Sequence, residues 1–186
     1  MKSIVGVFIL LVSTAAHAGI MFYPYVGVVS GRFQTTTIAG TVATSDYSGF
    51  SYGLDLGYSF SSFFLALDAR GFKGSDDAKP VKSDLTRMDL GVKAGFTFGK
   101  GMEAYAEYVA KQDLKVAVST SDVTISGTGI RLGVAHTTPK KFKFALDYTA
   151  YTFKTYKNSA GASGDIDSVY KSVVDVPVNL LVGYAF

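Results

Sequence analysis

Apolar and polar residues alternate over the final stretch of the chain, residues 170–186. From Val174 onward every second residue is apolar, and most residues between them are small or polar. The apolar set is Val174, Val176, Val178, Leu180, Val182, Tyr184 and Phe186. A period of two predicts a β-strand with one apolar face. The stretch exceeds the ~5–6 residues usual in soluble sheets and suffices for the ~9–11 tilted residues that cross a bilayer.

The same alternation predicts seven further strands. It is clearest in residues 47–60, where Phe50, Tyr52 and Leu54 begin an apolar row and serine, glycine and aspartate occupy the other face. The eight predicted strands are residues 21–33, 47–60, 63–72, 85–98, 102–118, 123–136, 142–153 and 170–186. This pattern indicates an all-β fold, a transmembrane antiparallel up-and-down β-barrel at the small end of the known size range.

The connections between these strands alternate in length. Those after the second, fourth and sixth strands are short turns, whereas residues 34–46, 73–84 and 154–169 are long polar segments that we expect to be loops. The connection at 119–122 is an exception, unless its hairpin projects beyond the membrane. Short periplasmic turns and long external loops are the arrangement expected of a membrane barrel.

The two faces of the predicted strands differ in bulk, and this indicates which face meets lipid. The interior of an eight-stranded barrel is just wide enough for side chains to fill it. Most strands carry large apolar residues on one face and Gly, Ala, Ser, Thr and single charges on the other. We therefore expect the large face to contact lipid and the small face to line the lumen. Residues 21–33 are apolar on both faces, so their orientation stays open.

Aromatic residues support this orientation because they gather beside the short turns and at the carboxyl terminus. A belt of aromatic side chains at the interface is typical of membrane barrels, and the general preference of aromatics for strands does not explain clustering at one end. The predicted belt comprises Tyr58, Phe60, Phe63, Phe96, Phe98, Phe142, Phe144, Tyr184 and Phe186.

Charged residues on the small face form the main cluster of polar side chains that the sequence predicts. The alternation points the following residues into the lumen as an ion-pair network: Asp55, Asp68, Arg70, Arg87, Asp89, Lys93, Glu107, Arg131 and Asp147. It also points Glu103, Lys111, Lys143 and Asp175 inward. Because charges in a narrow interior are unfavourable unless they are paired, we expect the network to plug the lumen. A gate or narrow ion path is the alternative, less favoured because barrels of this size rarely enclose an aqueous channel.

The amino terminus has the pattern of a secretory signal peptide. Lys2 supplies the positive charge, residues 4–12 the apolar core, and Ala16, His17 and Ala18 a small-x-small cleavage site. We expect a signal peptide at 1–18 and a barrel domain at 19–186. Loss of Lys2 lowers the formal net charge from +3 to +2, which argues against a nucleic-acid partner. The chain has no cysteine, which excludes a disulfide framework.

From its amino-terminal segment to Phe186, the chain resembles small bacterial outer-membrane β-barrel proteins of the OmpA-like and OmpX-like class. The resemblance rests on the alternation, on the unequal connections and on a final strand that ends in an aromatic residue. It implies residence in a Gram-negative outer membrane, with outer-membrane lipid and lipopolysaccharide as neighbours and no cofactor. It also implies that the barrel-assembly machinery reads the final strand, through Val178, Leu180, Val182, Tyr184 and Phe186.

The resemblance leaves several functions open. The leading hypothesis is a monomeric structural or surface-interaction protein whose loops 34–46, 73–84 and 154–169 contact an extracellular ligand. The alternative is a narrow porin-like pore that uses the inward charges, and a lipid-modifying enzyme comes third. Because the chain stops at Phe186, the peptidoglycan anchoring of full OmpA-type proteins is not carried over.

Catalysis and metal binding find little support in the sequence, and we expect no enzyme. His136 is the only histidine after the predicted cleavage site, and Thr137 and Thr138 follow it in place of the His-x-Ser arrangement of barrel lipid A deacylases. A serine nucleophile needs such a base within reach. Residues 164–167 are too short for a calcium-binding loop.

Overall fold

The computed structural model describes residues 18–76, 83–118 and 121–186. The predicted signal peptide therefore lies outside the described residues except for Ala18, and its cleavage site stays a prediction. Within the described ranges there is no helix with the length and apolar character needed to span a membrane.

Ten strands and one short helix make up the described structure. The strands are β1 Ala18–Thr37, β2 Val42–Phe60, β3 Phe63–Asp76, β4 Asp84–Phe98, β5 Met102–Val118, β6 Ser121–Thr137, β7 Phe142–Asn158, β8 Ser163–Asp165, β9 Tyr170–Asp175 and β10 Val178–Tyr184. A 3-10 helix, Ile166–Ser168, joins β8 to β9.

The strands close into a barrel. From β1 to β7 each strand pairs antiparallel with the next, and both β9 and β10 pair with β1 on one side and β7 on the other. Together β9 and β10 form the eighth position of the ring, as the alternation over 170–186 predicts. They are separate strands because Pro177 has no N–H to donate. Thr149 N still donates to the Pro177 carbonyl at 3.0 Å, which keeps the register across the break. The predicted eight-stranded up-and-down barrel is confirmed.

The two ends of the barrel differ. The turns after β2, β4 and β6 are tight, and residues with positive φ build them: Ser61, Gly99, Gly101 and Lys141. Phe186 lies at this turn end, where its amide donates to the Phe22 carbonyl at 3.1 Å. We assign this end to the periplasm because short turns face that side in membrane barrels.

The opposite end, which we call the loop end, contains more strand than we predicted. The segment 34–46 is mostly hairpin, since β1 runs to Thr37 and β2 begins at Val42. Likewise β3 continues to Asp76 and β7 to Asn158. Threonine and valine favour strands, and the cross-strand pairing simply continues past the lipid. The prediction of long irregular loops was wrong for these residues; residues 77–82, 119 and 120 lie outside the described structure.

Large apolar side chains cover the outside of the barrel. Leu67 is 61 % exposed and Phe63, in the predicted aromatic belt, is 66 % exposed. Other exposed members of the belt are Tyr58, Phe96, Phe98, Phe142, Phe144, Tyr184 and Phe186. In water such a surface would be unfavourable, whereas in a bilayer it is the expected one.

The interior is bulkier than the sequence suggested. Our volume argument expected small residues there, but Tyr23, Tyr25, Phe64 and Phe72 are all buried inside the barrel. This also settles β1, whose tyrosines point inward. They fit because glycines on adjacent strands leave room beneath the rings, at positions where a Cβ would clash with the aromatic side chain. The cross-strand pairs are Tyr25–Gly53, Tyr47–Gly31 and Tyr105–Gly133.

A β-bulge in β5 overturns one part of the predicted lumen. The pairing of β5 with both neighbours shifts register between Val109 and Gln112. A bulge adds one residue and thereby reverses which face the following residues occupy. Lys111, predicted inward, has 65 % of its side chain exposed, while Leu114, predicted to face lipid, is buried.

Candidate functional site, a buried charge network in the lumen

The structure places all nine residues of the predicted network in the lumen. Each is buried, and they come from β2 (Asp55), β3 (Asp68, Arg70), β4 (Arg87, Asp89, Lys93), β5 (Glu107), β6 (Arg131) and β7 (Asp147). Glu103, Lys143 and Asp175 are buried as predicted too, which leaves Lys111 as the exception. We refer to the buried charged residues together as the central network.

Arg131 lies at the middle of the central network and is fully buried. Its Nη1 contacts Asp68 Oδ2 at 2.9 Å and Glu107 Oε1 at 2.5 Å, and its Nη2 contacts Asp89 Oδ2 at 2.8 Å. Its Nε donates to Thr149 Oγ1 at 2.9 Å. One guanidinium thus ties β6 to β3, β4, β5 and β7, using the planar fork of donors that suits arginine to such a role.

Arg70 is a second centre of pairing within the lumen. Its Nη1 and Nη2 donate to Asp147 at 3.1–3.2 Å, and Nη2 also reaches Asp68 at 3.3 Å. Its Nε donates to the Tyr25 hydroxyl at 3.0 Å, and that hydroxyl donates to Asp68 at 2.5 Å. Asp68 is therefore shared by both arginines, so the two centres form one connected network.

The remaining cations extend the central network toward both ends of the barrel. Lys93 Nζ donates to the Asp55 carboxylate at 2.7 and 2.8 Å. Toward the loop end, Arg87 Nη1 contacts Asp175 at 2.8 Å. Nearest the turn end, Lys143 Nζ pairs with Glu103 at 2.5 Å.

Tyrosine hydroxyls and one amide complete the network, and the sequence did not identify them. Tyr105 donates to Asp147 at 3.0 Å, Tyr47 donates to Asp175 at 2.5 Å, and Tyr151 donates to Asp89. Asn179 Nδ2 donates to Asp147 at 2.6 Å. Strand parity alone places Tyr105 and Tyr151 inward, but only their partners across the lumen reveal their role.

Apolar side chains bound the central network on both sides. Toward the loop end lies a cluster that we call the apolar layer, which consists of Val29, Tyr47, Phe72, Leu85, Val109, Leu114, Tyr151, Phe153, Ile166 and Val173. Toward the turn end lies a smaller cluster of Tyr23, Tyr25, Phe64, Tyr105, Ala135, Ala145 and Leu181. These clusters exclude solvent, so the ion pairs lie in a medium where an unpaired charge would be very unfavourable.

The charges in the lumen are paired but not equal in number. Among the described residues seven buried carboxylates face five buried cations, and every one of them has an oppositely charged atom within 4 Å. Some buried polar atoms in and beside the network lack a hydrogen-bond partner in the described part of the chain, including Arg87 Nη2, Asp89 Oδ1 and both amide atoms of Gln112. The arrangement is chemically suited to holding strands together and to blocking the lumen.

The described residues offer little for catalysis or metal binding. No group of three or more His, Asp or Glu side chains in these ranges is placed to hold a metal ion. His136 lies near the turn end on β6, and its Nδ1 makes no hydrogen bond to any described residue. A Ser–His pair of the kind that activates a nucleophile is therefore not seen at His136 within the described ranges.

A closed cylinder with a lipid-compatible exterior and a packed polar interior defines an outer-membrane β-barrel. A family model described as "Outer membrane protein beta-barrel domain" matches residues 4–185, and the chain belongs to this family. The protein resides in the bacterial outer membrane. No curated protein matches the chain in sequence.

Solved barrels share the fold at low sequence identity. Neisserial surface protein A is 19 % identical with a TM-score of 0.52, over 88 % of this chain and 97 % of its own. Ail, the attachment invasion locus protein of Yersinia pestis, is 12 % identical with a TM-score of 0.59, over 90 % and 99 %. OprG from Pseudomonas aeruginosa is 14 % identical with a TM-score of 0.53, over 91 % and 97 %.

Proposed function

We propose that this protein is a structural, non-enzymatic outer-membrane barrel whose lumen is closed to ions and solutes by the central network. The observation that carries the proposal is the pairing of Arg131 with three carboxylates from three different strands. Opening a path along the axis would separate these charges in an apolar surrounding, which is strongly unfavourable. Packing by the apolar layer adds a second barrier nearer the loop end.

Conductance across planar bilayers tests the closed lumen. We expect the purified wild-type barrel to produce no reproducible current steps, because the lumen contains packed side chains. Arg131→Ala removes the central cation and should allow small, intermittent steps. Arg32→Ala, which removes an exposed arginine outside the lumen, is the matched control and should behave as wild type.

The same recordings address the rival function of a narrow pore. Large, reproducible steps in the wild type, altered in size or selectivity by Arg131→Ala, would overturn the closed lumen in favour of a pore. A changed lipid A acylation pattern in a deletion strain, restored by the wild-type gene, would instead favour the lipid-modifying enzyme.

A surface-interaction role is a second candidate, favoured by the length of the strands. Membrane crossing takes ~9–11 residues, yet β1 has 20 and β2 has 19. Their hairpin therefore projects beyond the lipid and displays Ile38 and Val42, both well exposed. Replacing both by serine should reduce adhesion of cells that carry the protein without altering the amount of folded barrel. Unchanged adhesion would count against this role.

Assembly is proposed to depend on the final strand, with the barrel-assembly machinery as partner. The Phe186 ring packs edge-on against Tyr184 at 4.9 Å and Phe22 at 5.4 Å between centroids, and it is largely exposed. Phe186→Ala should slow the appearance in cells of the heat-modifiable, folded form. Phe98→Ala, which removes an exposed aromatic side chain at the turn end of β4, is the control. A normal folding rate for Phe186→Ala would show that this residue is not part of an assembly signal.

A further inference from the structure

A small cavity lies inside the barrel near the loop end, on the loop side of the central network. Its volume is about 90 Å³. Most of its lining is apolar and comes from β1, β2, β4 and β5, through Phe33, Tyr47, Leu85, Leu114 and Val116. Ser45 and Asp76 contribute polar groups to the lining. We call this space the loop-end cavity.

Paired strands separate the loop-end cavity from the membrane. The cross-strand pairs at this level are Phe33–Ser45, Tyr47–Asp76, Gly74–Leu85 and Leu85–Val116. Along these described strands the pairing leaves no lateral opening, so an acyl chain of the surrounding lipid has no way in from the side. Phe33, Asp76 and Val116 are half-buried, whereas the deeper lining is buried. A molecule therefore reaches the cavity from the loop end.

The floor of the loop-end cavity separates it from the lumen below. Leu85 and Leu114 are buried there, and Arg87, the next inward residue after Leu85, pairs with Asp175 in the central network. Tyr47 lines the cavity, and its hydroxyl donates to Asp175 at 2.5 Å. A molecule in the cavity therefore meets apolar surface below it and does not pass through a barrel whose network is closed.

Two polar groups give the loop-end cavity a chemical preference. Ser45 Oγ is buried and makes no hydrogen bond to any described residue. Asp76 Oδ1 accepts from the Ser83 amide at 2.8 Å, which fixes the carboxylate beside the cavity. Because Tyr47 pairs with Asp76, Ser45 is the diagonal neighbour of Asp76 across the strands, at a typical separation of ~7–8 Å. One hydroxyl group of a ligand fits between them, since a hydroxyl both donates and accepts.

The composition of the lining excludes several other occupants. Water needs two to four polar partners, and cavities with apolar walls stay dry. A charged molecule would lose its hydration against the apolar lining, which is unfavourable. Phe33 and Tyr47 offer aromatic surface, and aromatic rings pack favourably against one another. The lining therefore suits an uncharged aromatic molecule with one hydrogen-bonding group.

We propose that the loop-end cavity binds a small phenol-like molecule, an uncharged aromatic ring with one hydroxyl group, from outside the cell. The ring contacts Phe33, Tyr47 and Leu114, and the hydroxyl accepts from Ser45 Oγ and donates to Asp76. Because enclosed cavities of about 150 Å³ bind benzene, a ring of this size fills the cavity and extends toward the loop end. This inference goes beyond the closed lumen, since binding here requires no passage through the barrel.

Methyl NMR of the barrel in lipid nanodiscs, with phenol as the ligand, tests the proposal. Phenol should shift the methyl signals of Leu114 and Val116 in a saturable manner. The signals of Leu67, which is exposed on the outer face, should change only in proportion to the phenol dissolved in the lipid. Benzoate and benzylamine, which are charged at neutral pH, should produce no saturable shift at Leu114 or Val116.

Two substitutions of Ser45 separate its hydroxyl from the space beside it. Ser45→Ala should weaken phenol binding about fivefold and leave the binding of toluene, which has no hydroxyl, unchanged. Ser45→Phe should fill the cavity and abolish the saturable shifts with both ligands. Thr44→Phe, which adds the same ring at the neighbouring exposed position, is the matched control and should bind as the wild type does.

Several outcomes would overturn the loop-end cavity as a binding site. They are equal effects of Ser45→Ala on phenol and toluene, wild-type binding by folded Ser45→Phe, and shifts at Leu67, Leu114 and Val116 that rise in parallel without saturation. Saturable binding of benzoate or benzylamine stronger than that of phenol would overturn the uncharged class of ligand. Because Ser45→Ala is a conservative change, the comparison of phenol with toluene decides the question even where Ser45→Phe does not fold.

Discussion

The central network and the apolar layer fill the same lumen by opposite means. Around Arg131 the interior consists of charges that must all be matched, whereas around Phe72 and Leu114 it consists of ordinary close packing. Tyr47 and Tyr151 belong to both, because their rings pack in the apolar layer while their hydroxyls donate to Asp175 and Asp89. We infer that the central network fixes the register of the strands and that the apolar layer excludes water.

The two regions should respond differently to mutation. Removing one partner of a buried ion pair leaves the other charge buried and unpaired, whereas truncating an apolar side chain removes only contacts and leaves a cavity. Neighbouring side chains can shift to reduce a cavity, but such shifts do not supply a partner for an unpaired buried charge. We therefore expect the largest losses of stability in the central network.

Arg131→Ala should lower stability more than any other single substitution in either region. It leaves Asp68, Asp89 and Glu107 without their shared partner, and we expect the free energy of unfolding to fall by about 3–5 kcal/mol. Urea unfolding of the barrel in lipid vesicles, followed by the heat-modifiable gel shift, measures this. The control is Arg32→Ala, whose pair with Asp46 is exposed to solvent and should leave the free energy of unfolding essentially unchanged. Similar losses in both variants would contradict the central role of Arg131.

Leu114→Ala should have the next largest effect on the free energy of unfolding. This substitution tests the apolar layer and the β5 bulge together. Leu114 is buried inside only because the bulge reverses the alternation, and its truncation should lower the free energy of unfolding by about 2–4 kcal/mol. Lys115→Ala, at the neighbouring outward position, should change it by less than about 1 kcal/mol. The reverse order of effects in the same urea titrations would mean that β5 has no bulge and that Leu114 faces lipid.

The inward placement of the charged residues follows from the sequence because the two-residue period is a local property of each strand. Asp55 on β2 and Asp147 on β7 needed no knowledge of their partners to be placed inside. The sequence analysis did not predict the apolar layer, because the layer depends on a β-bulge and on the positions of glycines, and the apolar–polar alternation reveals neither. One inserted residue near Lys111 moved Leu114 to the inside, and glycines on a neighbouring strand made room for Tyr25 and Tyr47. The extended hairpin of β1 and β2 was missed because its residues are typical of loops as well as of strands.

The Lys143–Glu103 pair should show the smallest effect, and it tests whether charge or packing holds the turn end of the lumen. The pair lies where the central network meets apolar neighbours. Lys143 Nζ lies 4.7 Å from the Tyr23 ring centroid, and Glu103 also accepts from Thr137 Oγ1 at 3.1 Å. We expect Glu103→Gln and Lys143→Met each to destabilise the barrel, and the double variant to lose less than the sum by a coupling energy of about 1–2 kcal/mol. The same urea titrations on the two single variants and the double variant measure this energy. A coupling near zero would mean that packing of Lys143 against the rings, rather than its charge, holds this end of the lumen, and the turn end would then belong with the apolar clusters.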